Sequence, residues 1–292
     1  ERIQTLNSKT GFESLQLSKI SKASAKQRAG RAAREGEGFV YRGWSVHDER
    51  AMDEFTKAEI HRIDLSESLL LLSALGITSY KHFSWFESPS DHALQRSVDF
   101  LKKIGALEED GKISPLGKRL RFMPLHPRVA KLLIEGERLS MPVLACELAI
   151  ILSERNLLLQ KINYSFENDL MGVLEEWRSN FRQERYRYWN RIKEQWLKLL
   201  NSQQDCGPYN DEILEQLLFN TFPDRVCRRR RKDAAEAKMV GGRGVKLHPQ
   251  STVKTSEYFL ALEISDGEDA SVSKVFRAMG LSQQFVTQYI LP

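Results

Sequence analysis

Apolar and polar residues alternate from Ser14 to Ile20 and again from Gly38 to Trp44, which predicts two strands with an arginine-rich segment between them. From Asp64 the period changes. Leu65, Leu69 and Leu72 share one helical face, with Asp64 and Glu67 as a capping box and Gly76 as the stop. Ser90 and Asp91 start a second helix carrying Leu94, Val98 and Leu101 and ending at Gly105. Asp110-Gly111 then turns a hairpin between Ala106-Leu107 and Lys112-Ile113, and Ser114-Pro115 opens a third helix. Helix, helix, hairpin, helix is the outline of a winged helix. Residues 141–200 read as helical, with Leu170, Leu174, Trp177, Phe181, Tyr188, Ile192, Trp196 and Leu199 on a 3.6 period. A helix over 210–219 follows, and alternation at 238–240, 245–247, 258–264 and 271–277 predicts four short strands suited to a small barrel of OB type.

Charge sharpens this outline. The 292 residues carry 44 Lys+Arg against 39 Asp+Glu, a net +5, which favours a polyanionic partner. Gln27, Arg28, Arg31 and Arg34 surround Gly30 at i, i+3 steps, so the guanidinium groups lie near one another if the segment is helical and can grip phosphate oxygens while Gln27 orients a water. The same residues also suit a plain solvated helix end. Arg228, Arg229, Arg230, Arg231 and Lys232 form a run that suits a phosphate backbone and reads no sequence, and Arg243 sits between glycines in a predicted loop. Arg178, Arg182, Arg185 and Arg191 either pair with Glu175, Glu184 and Glu194 or grip a strand whose bases stack on Tyr186 and Trp189. His126, beside Pro127, reads as a buried or capping histidine. No metal-ligand spacing occurs, and the odd, scattered Cys146, Cys206 and Cys227 point to a reducing cytoplasm. No apolar stretch reaches the roughly 18 residues that span a bilayer, so no membrane partner is expected.

Ile20 to Lys26, the octet Gln27 to Arg34, and Gly38 to Trp44 closely resemble the last conserved motif of DEAH-box helicases, Gln-Arg-x-Gly-Arg-x-Gly-Arg followed by a Tyr-Arg strand. Ala33 stands where that family usually has glycine, and Glu37 where proline is common. In a helical turn the Ala33 methyl is harmless, whereas at positive φ it costs roughly 1–2 kcal/mol. Gly105 to Leu133 looks like the helicase-associated region that follows the motor lobes. Leu125-His126-Pro127-Arg128, Leu152-Ser153-Glu154-Arg155 and Phe222-Pro223-Asp224-Arg225 with Gly242-Arg243-Gly244 resemble the bacterial HrpB type, so the likeness covers nearly the whole chain.

The expected fold is multidomain α+β: the end of a second RecA-like lobe over 1–62, a winged helix over 63–124, a ratchet-like helical bundle over 125–207 and an OB-like β domain over 208–292. The resemblance implies an ATP-dependent RNA or DNA helicase using ATP and magnesium, single-stranded nucleic acid as partner and 3′ to 5′ travel. By it Arg34 is the arginine finger, Arg31 a second γ-phosphate contact and Gln27 the water positioner, while Arg228, Arg229, Arg230, Arg231 and Arg243 touch nucleic acid. The chain has no Gly-x-x-x-x-Gly-Lys-Ser/Thr loop and no acidic magnesium motif, opens at Glu1 and stops in an apolar element. It therefore reads as a segment of a longer protein, inactive alone. The alternative is a nucleic-acid-binding or adaptor protein of helicase ancestry without ATPase activity.

Overall fold

The computed structural model describes residues 2–6, 13–32, 34–153, 167–201, 204–266 and 272–291, and the chain falls into two compact units. The first comprises 1–65 and 81–95, the second 66–80 and 96–292.

In the first unit, β1 (Arg2–Leu6) and β2 (Glu13–Leu17) pair antiparallel, Arg2 opposite Leu17. Helix α1 (Lys22–Ala29) begins where Ser21 Oγ accepts from the Ser24 N–H, and its first two N–H groups bond the carbonyls of Asp53 and Glu54. Those bonds replace the partners that a helix start lacks. Helix α2 (Val46–Arg50) is held by a capping box between Ser45 and Asp48. Residues 38–44, predicted as a strand, are irregular, with Phe39 and Tyr41 88% and 94% exposed. An alternating run becomes a strand only against a partner, and among the described residues none pairs with it.

The second unit opens with α3 (Ser66–Ala74), which packs on α5 (Pro115–Arg121). The helix α4 (Asp91–Lys103) ends as expected at Gly105, whose φ of +75° lets the Ala106 N–H bond back to the Leu101 carbonyl. The predicted hairpin survives as one bridge, Leu107 to Ile113, and Ser114 Oγ caps α5 by accepting from the Gly117 N–H at 2.9 Å. His126 caps α6 (Pro127–Arg138) through Nδ1, which accepts from the Arg128 N–H at 3.3 Å. This is the structural role read for it.

Helix α6 packs on α7 (Pro142–Ser153) so closely that a Cβ at Gly136 would lie 2.1 Å from that of Ala145. Next come α8 (Met171–Ser179) and α9 (Arg187–Leu197). The apolar period does not run through them as one helix. Asn180 ends α8, a short turn follows, and α9 buries Trp189 while Phe181 and Tyr188 stay 51% and 58% exposed. The Trp189 ring stands edge-on to Trp177, centroids 5.0 Å apart, and Trp177 Nε1 donates to Asn190 Oδ1 at 3.0 Å. The Leu-Ser-Glu-Arg signature falls partly outside the described residues, from Glu154 on.

Helix α10 (Asp211–Thr221) leads into a closed barrel of β3 (Val226–Arg229), β4 (Glu236–Met239), β5 (Gly244–Leu247), β6 (Tyr258–Asp266) and β7 (Val272–Gly280). Its order is β3-β4-β5-β7-β6, with β5 and β7 parallel and the other neighbours antiparallel. Alternation predicts four of these strands; the fifth, β3, lies in the arginine run. The C-terminal α11 (Gln283–Tyr289) buries Phe285 and Val286 in the core that the helices share with β6 and β7.

Two polar clamps lock this unit. Arg128 donates to both oxygens of Asp224 at 2.8 Å and to the Thr221 carbonyl at 2.9 Å, its guanidinium lying over the rings of Phe100 and Phe222. Burial alone would raise the Asp224 carboxyl, but the Arg128 charge and hydrogen bonds more than offset it and hold the group well below the usual carboxylate range. The second clamp is Glu167. Its carboxylate accepts from the backbone and hydroxyl of both Thr255 and Ser256, and Asp169 accepts from the Ser251 hydroxyl and from the backbone and hydroxyl of Thr252.

Replacing Arg128 with Met strands a buried carboxylate and should cost about 3–5 kcal/mol by urea denaturation, whereas Arg128→Met with Asp224→Leu should recover most of it. A double variant no more stable than the single would refute the pairing as the cause. Glu167 supplies the pH dependence: burial opposes the shift, yet the Ser256 and Thr255 donors lower it from an ordinary 4.5 to about 2. A folded pKa below the unfolded one stabilises above the unfolded value and loses that contribution as pH falls through the folded one. The stability gap between wild type and Glu167→Gln should therefore be full above pH 4.5 and close as pH approaches 2. A gap independent of pH over that window would assign the effect to packing.

Candidate functional site

The arginine motif lies in the first unit, where α1 stops at Ala29 with Gly30 as its C-cap. Gln27 and Arg28 belong to its last turn. Arg31 follows in a further turn closed by its N–H on the Arg28 carbonyl at 3.2 Å, and Arg34 lies beyond. One continuous helix through all three arginines is thus not formed. Cations at this end complement the partial negative charge of the helix C-terminus. Gln27, Arg28, Arg31 and Arg34 are all exposed, and neither Arg31 nor Arg34 has an ion-pair partner among the described residues. Ala33 lies outside the described residues.

The second cationic element is on the barrel. Because β3 alternates, it splits the arginine run: Cys227 and Arg229 turn inward and Arg228 outward. Arg229 is 7% exposed and donates to the carbonyls of Ser256, Ala234 and Val253, so this predicted nucleic-acid contact is a bracket for the loop before β6. Arg228 pairs with Glu257 at 2.8 Å and lies 5.4 Å over the Tyr258 ring. Arg230, Arg231 and Lys232 are exposed and make no ion pair among the described residues. With Arg228 and Lys238 they line an open groove of about 860 Å³ whose apolar floor includes Val226, Val240 and Ile290. Sequence reasoning misses Lys238, although its outward parity on β4 is the same period-two signal. Arg243 does not line the groove; it is half-buried and donates to Ser273 Oγ.

In the helical part the arginines choose other partners than those expected. Arg178 and Lys193 clamp the buried Glu147, at 2.6 and 3.0 Å, and Arg185 pairs with Glu176. Tyr186 and Trp189, candidate base platforms by sequence, are 4% and 6% exposed and belong to the core. Among the described residues no group of three His, Cys, Asp or Glu side chains is placed to hold a metal ion, and no helix is long and apolar enough to cross a membrane.

Residues 97–125 match the family described as Helicase associated domain (HA2), winged-helix. The ATP-dependent RNA helicase HrpA of Borreliella burgdorferi is 27% identical over 97% of this chain and 38% of its own length. The probable ATP-dependent RNA helicase DHR2 of Saccharomyces cerevisiae is 31% identical over 54% of the chain and 22% of its own, and HrpA of Escherichia coli 34% identical over 47% and 11%. The chain thus spans well under half the length of these relatives. Among solved structures, the E. coli DExH-box NTPase HrpB superposes with a TM-score of 0.73 at 24% identity, over 99% of this chain and 33% of that one. A second HrpB crystal structure gives 0.72 over 97% and 34%. In sequence and in fold, this chain matches the C-terminal part of a DEAH-box helicase.

Proposed function

We propose that this chain is the C-terminal part of an ATP-dependent RNA helicase, in which the first unit completes the ATP site and the barrel of the second guides a single strand. The groove carries the reading: it gathers cations on an apolar floor, three of them without an ion pair among the described residues, as a surface that tracks a phosphate backbone requires. The helicases named HrpA and DHR2 support RNA as the substrate.

The first unit reads as the end of the second RecA-like lobe. Its described core is thin, with Ala25, Met52, Leu65 and Leu94 buried against exposed Phe39, Tyr41, Phe55 and Phe86, which suits a fragment that packs on further chain. Bound ATP with its magnesium supplies the phosphoryl group and most of the charge. Arg34 acts on it as the arginine finger, Arg31 neutralises a second oxygen, and Gln27 orients the attacking water. Exposed guanidinium groups with no competing carboxylate among the described residues fit that task, and the magnesium ligands and phosphate loop belong to the other lobe. The region 63–124 reads as the winged helix, and the barrel of the second unit reads as OB type. The free thiols Cys146, Cys206 and Cys227 accord with a cytoplasmic enzyme.

In a full-length enzyme, Arg34→Ala should lower the ATPase rate by about 10³–10⁵-fold while single-strand affinity stays within about two-fold. A wild-type rate would return the motif to a solvated helix end. For the groove, replacing Arg230, Arg231 and Lys232 with alanine in the 292-residue chain should flatten the log–log salt dependence of single-strand binding by about 0.7 per lost contact. An unchanged slope and affinity would remove the barrel from the path.

A further inference from the structure

The groove contains one carboxylate among its described lining residues, and that carboxylate already occupies a cation. Six cations line it, the buried Arg229 and the exposed Arg228, Arg230, Arg231, Lys232 and Lys238, together with Glu257. Glu257 Oε1 accepts from Arg228 Nε at 2.8 Å, while the Glu257 carbonyl accepts from the Arg229 N–H at 2.9 Å and fixes the backbone there. The Tyr258 ring lies 5.4 Å from the Arg228 guanidinium. Neither partner is buried, with side chains 64% and 50% exposed, so an incoming anion reaches both.

A carboxylate on a guanidinium offers oxygens where the non-bridging oxygens of a phosphodiester bind. We infer that Glu257 is a built-in competitor for the strand: it orients Arg228 in the free protein and is displaced when a backbone phosphate takes that guanidinium. Arg230, Arg231 and Lys232 make the first contacts, since none of them is held in an ion pair among the described residues, Glu236 in the field of Arg231 being paired with Lys246 instead. The exchange is reversible because an exposed ion pair is weak, and the displaced carboxylate then repels the bound backbone. Glu257 therefore sets affinity, keeping the strand releasable. This inference rests on the strand path proposed above.

Glu257→Gln keeps the shape and the hydrogen bond to Arg228 and removes the charge. In the 292-residue chain, a fluorescent oligouridylate of about 15 nucleotides, within the range of single-strand sites, should bind about three- to ten-fold more tightly to Glu257→Gln at low salt. The log–log salt slope should differ from wild type by less than about 0.7, one phosphate contact, because Arg228 engages a phosphate in both proteins. In an Arg228→Ala background the same change should give less than half that gain. Unchanged or weaker binding by Glu257→Gln overturns the inference, and so does an equal gain without Arg228, which would reduce Glu257 to bulk charge. The two readings fail separately. If the Arg230, Arg231 and Lys232 variant binds like wild type, the strand path falls and the competitor with it; if that variant weakens binding and Glu257→Gln changes nothing, only the competitor falls.

Discussion

The second unit depends on the ion pair between Arg128 and Asp224. Arg128 stands in the first turn of α6, Asp224 in the single 3₁₀ turn that joins α10 to the barrel, and Phe100 of α4 and Phe222 close over the guanidinium. Lys131, one turn on, donates to the Ile104 carbonyl past the end of α4, its ammonium pushed downward by burial. Three elements distant in sequence are thereby held at one point. The geometry is bidentate and the spare donor is satisfied by the Thr221 carbonyl, which is what a desolvated pair needs if attraction is to offset lost hydration. Leu125-His126-Pro127-Arg128 and Phe222-Pro223-Asp224-Arg225, two of the segments on which the resemblance rests, meet here.

That pair also sets the register of the cationic surface. Strand β3 begins at Val226, two residues after Asp224, and its parity decides which arginines turn out. Arg229 then faces three carbonyls that would otherwise be unpaired, while Arg228 and the residues past the strand face the groove. Glu167 and Asp169 brace the loop over 251–256 from outside the barrel, placing Glu257 beside Arg228. A run of like charge is thus divided between structure and recognition.

The first unit follows a different logic. Its helix α1 is anchored at the N-terminal end by Ser21, Asp53 and Glu54, and the arginines emerge at the other end, where the backbone leaves the helix. Rigid base and exposed tip suit side chains that act on a group supplied from elsewhere. Its large apolar residues are mostly outside, the inverse of the second unit, where Leu133, Leu144, Leu148, Leu174 and Leu217 are fully buried.

By itself the sequence determined what is local. Ser90, Ser114 and Asn210 mark helix starts, Gly76 and Gly105 mark helix ends, and alternation located β4 to β7, because capping and period act within a few residues. The arginine motif was legible because its residue types are unusual together. What only the tertiary structure decided is non-local. Residues 38–44 alternate but lack a partner strand among the described residues, Trp189 rather than Tyr188 turns inward because Trp177 waits across the bundle, and Arg178 selects Glu147 from another helix over neighbouring Glu175. The hidden β3 shows the reason most plainly: a string of arginines looks solvated until β4 and β6 pair with it and close the barrel, and only then does every second side chain have an inside to enter.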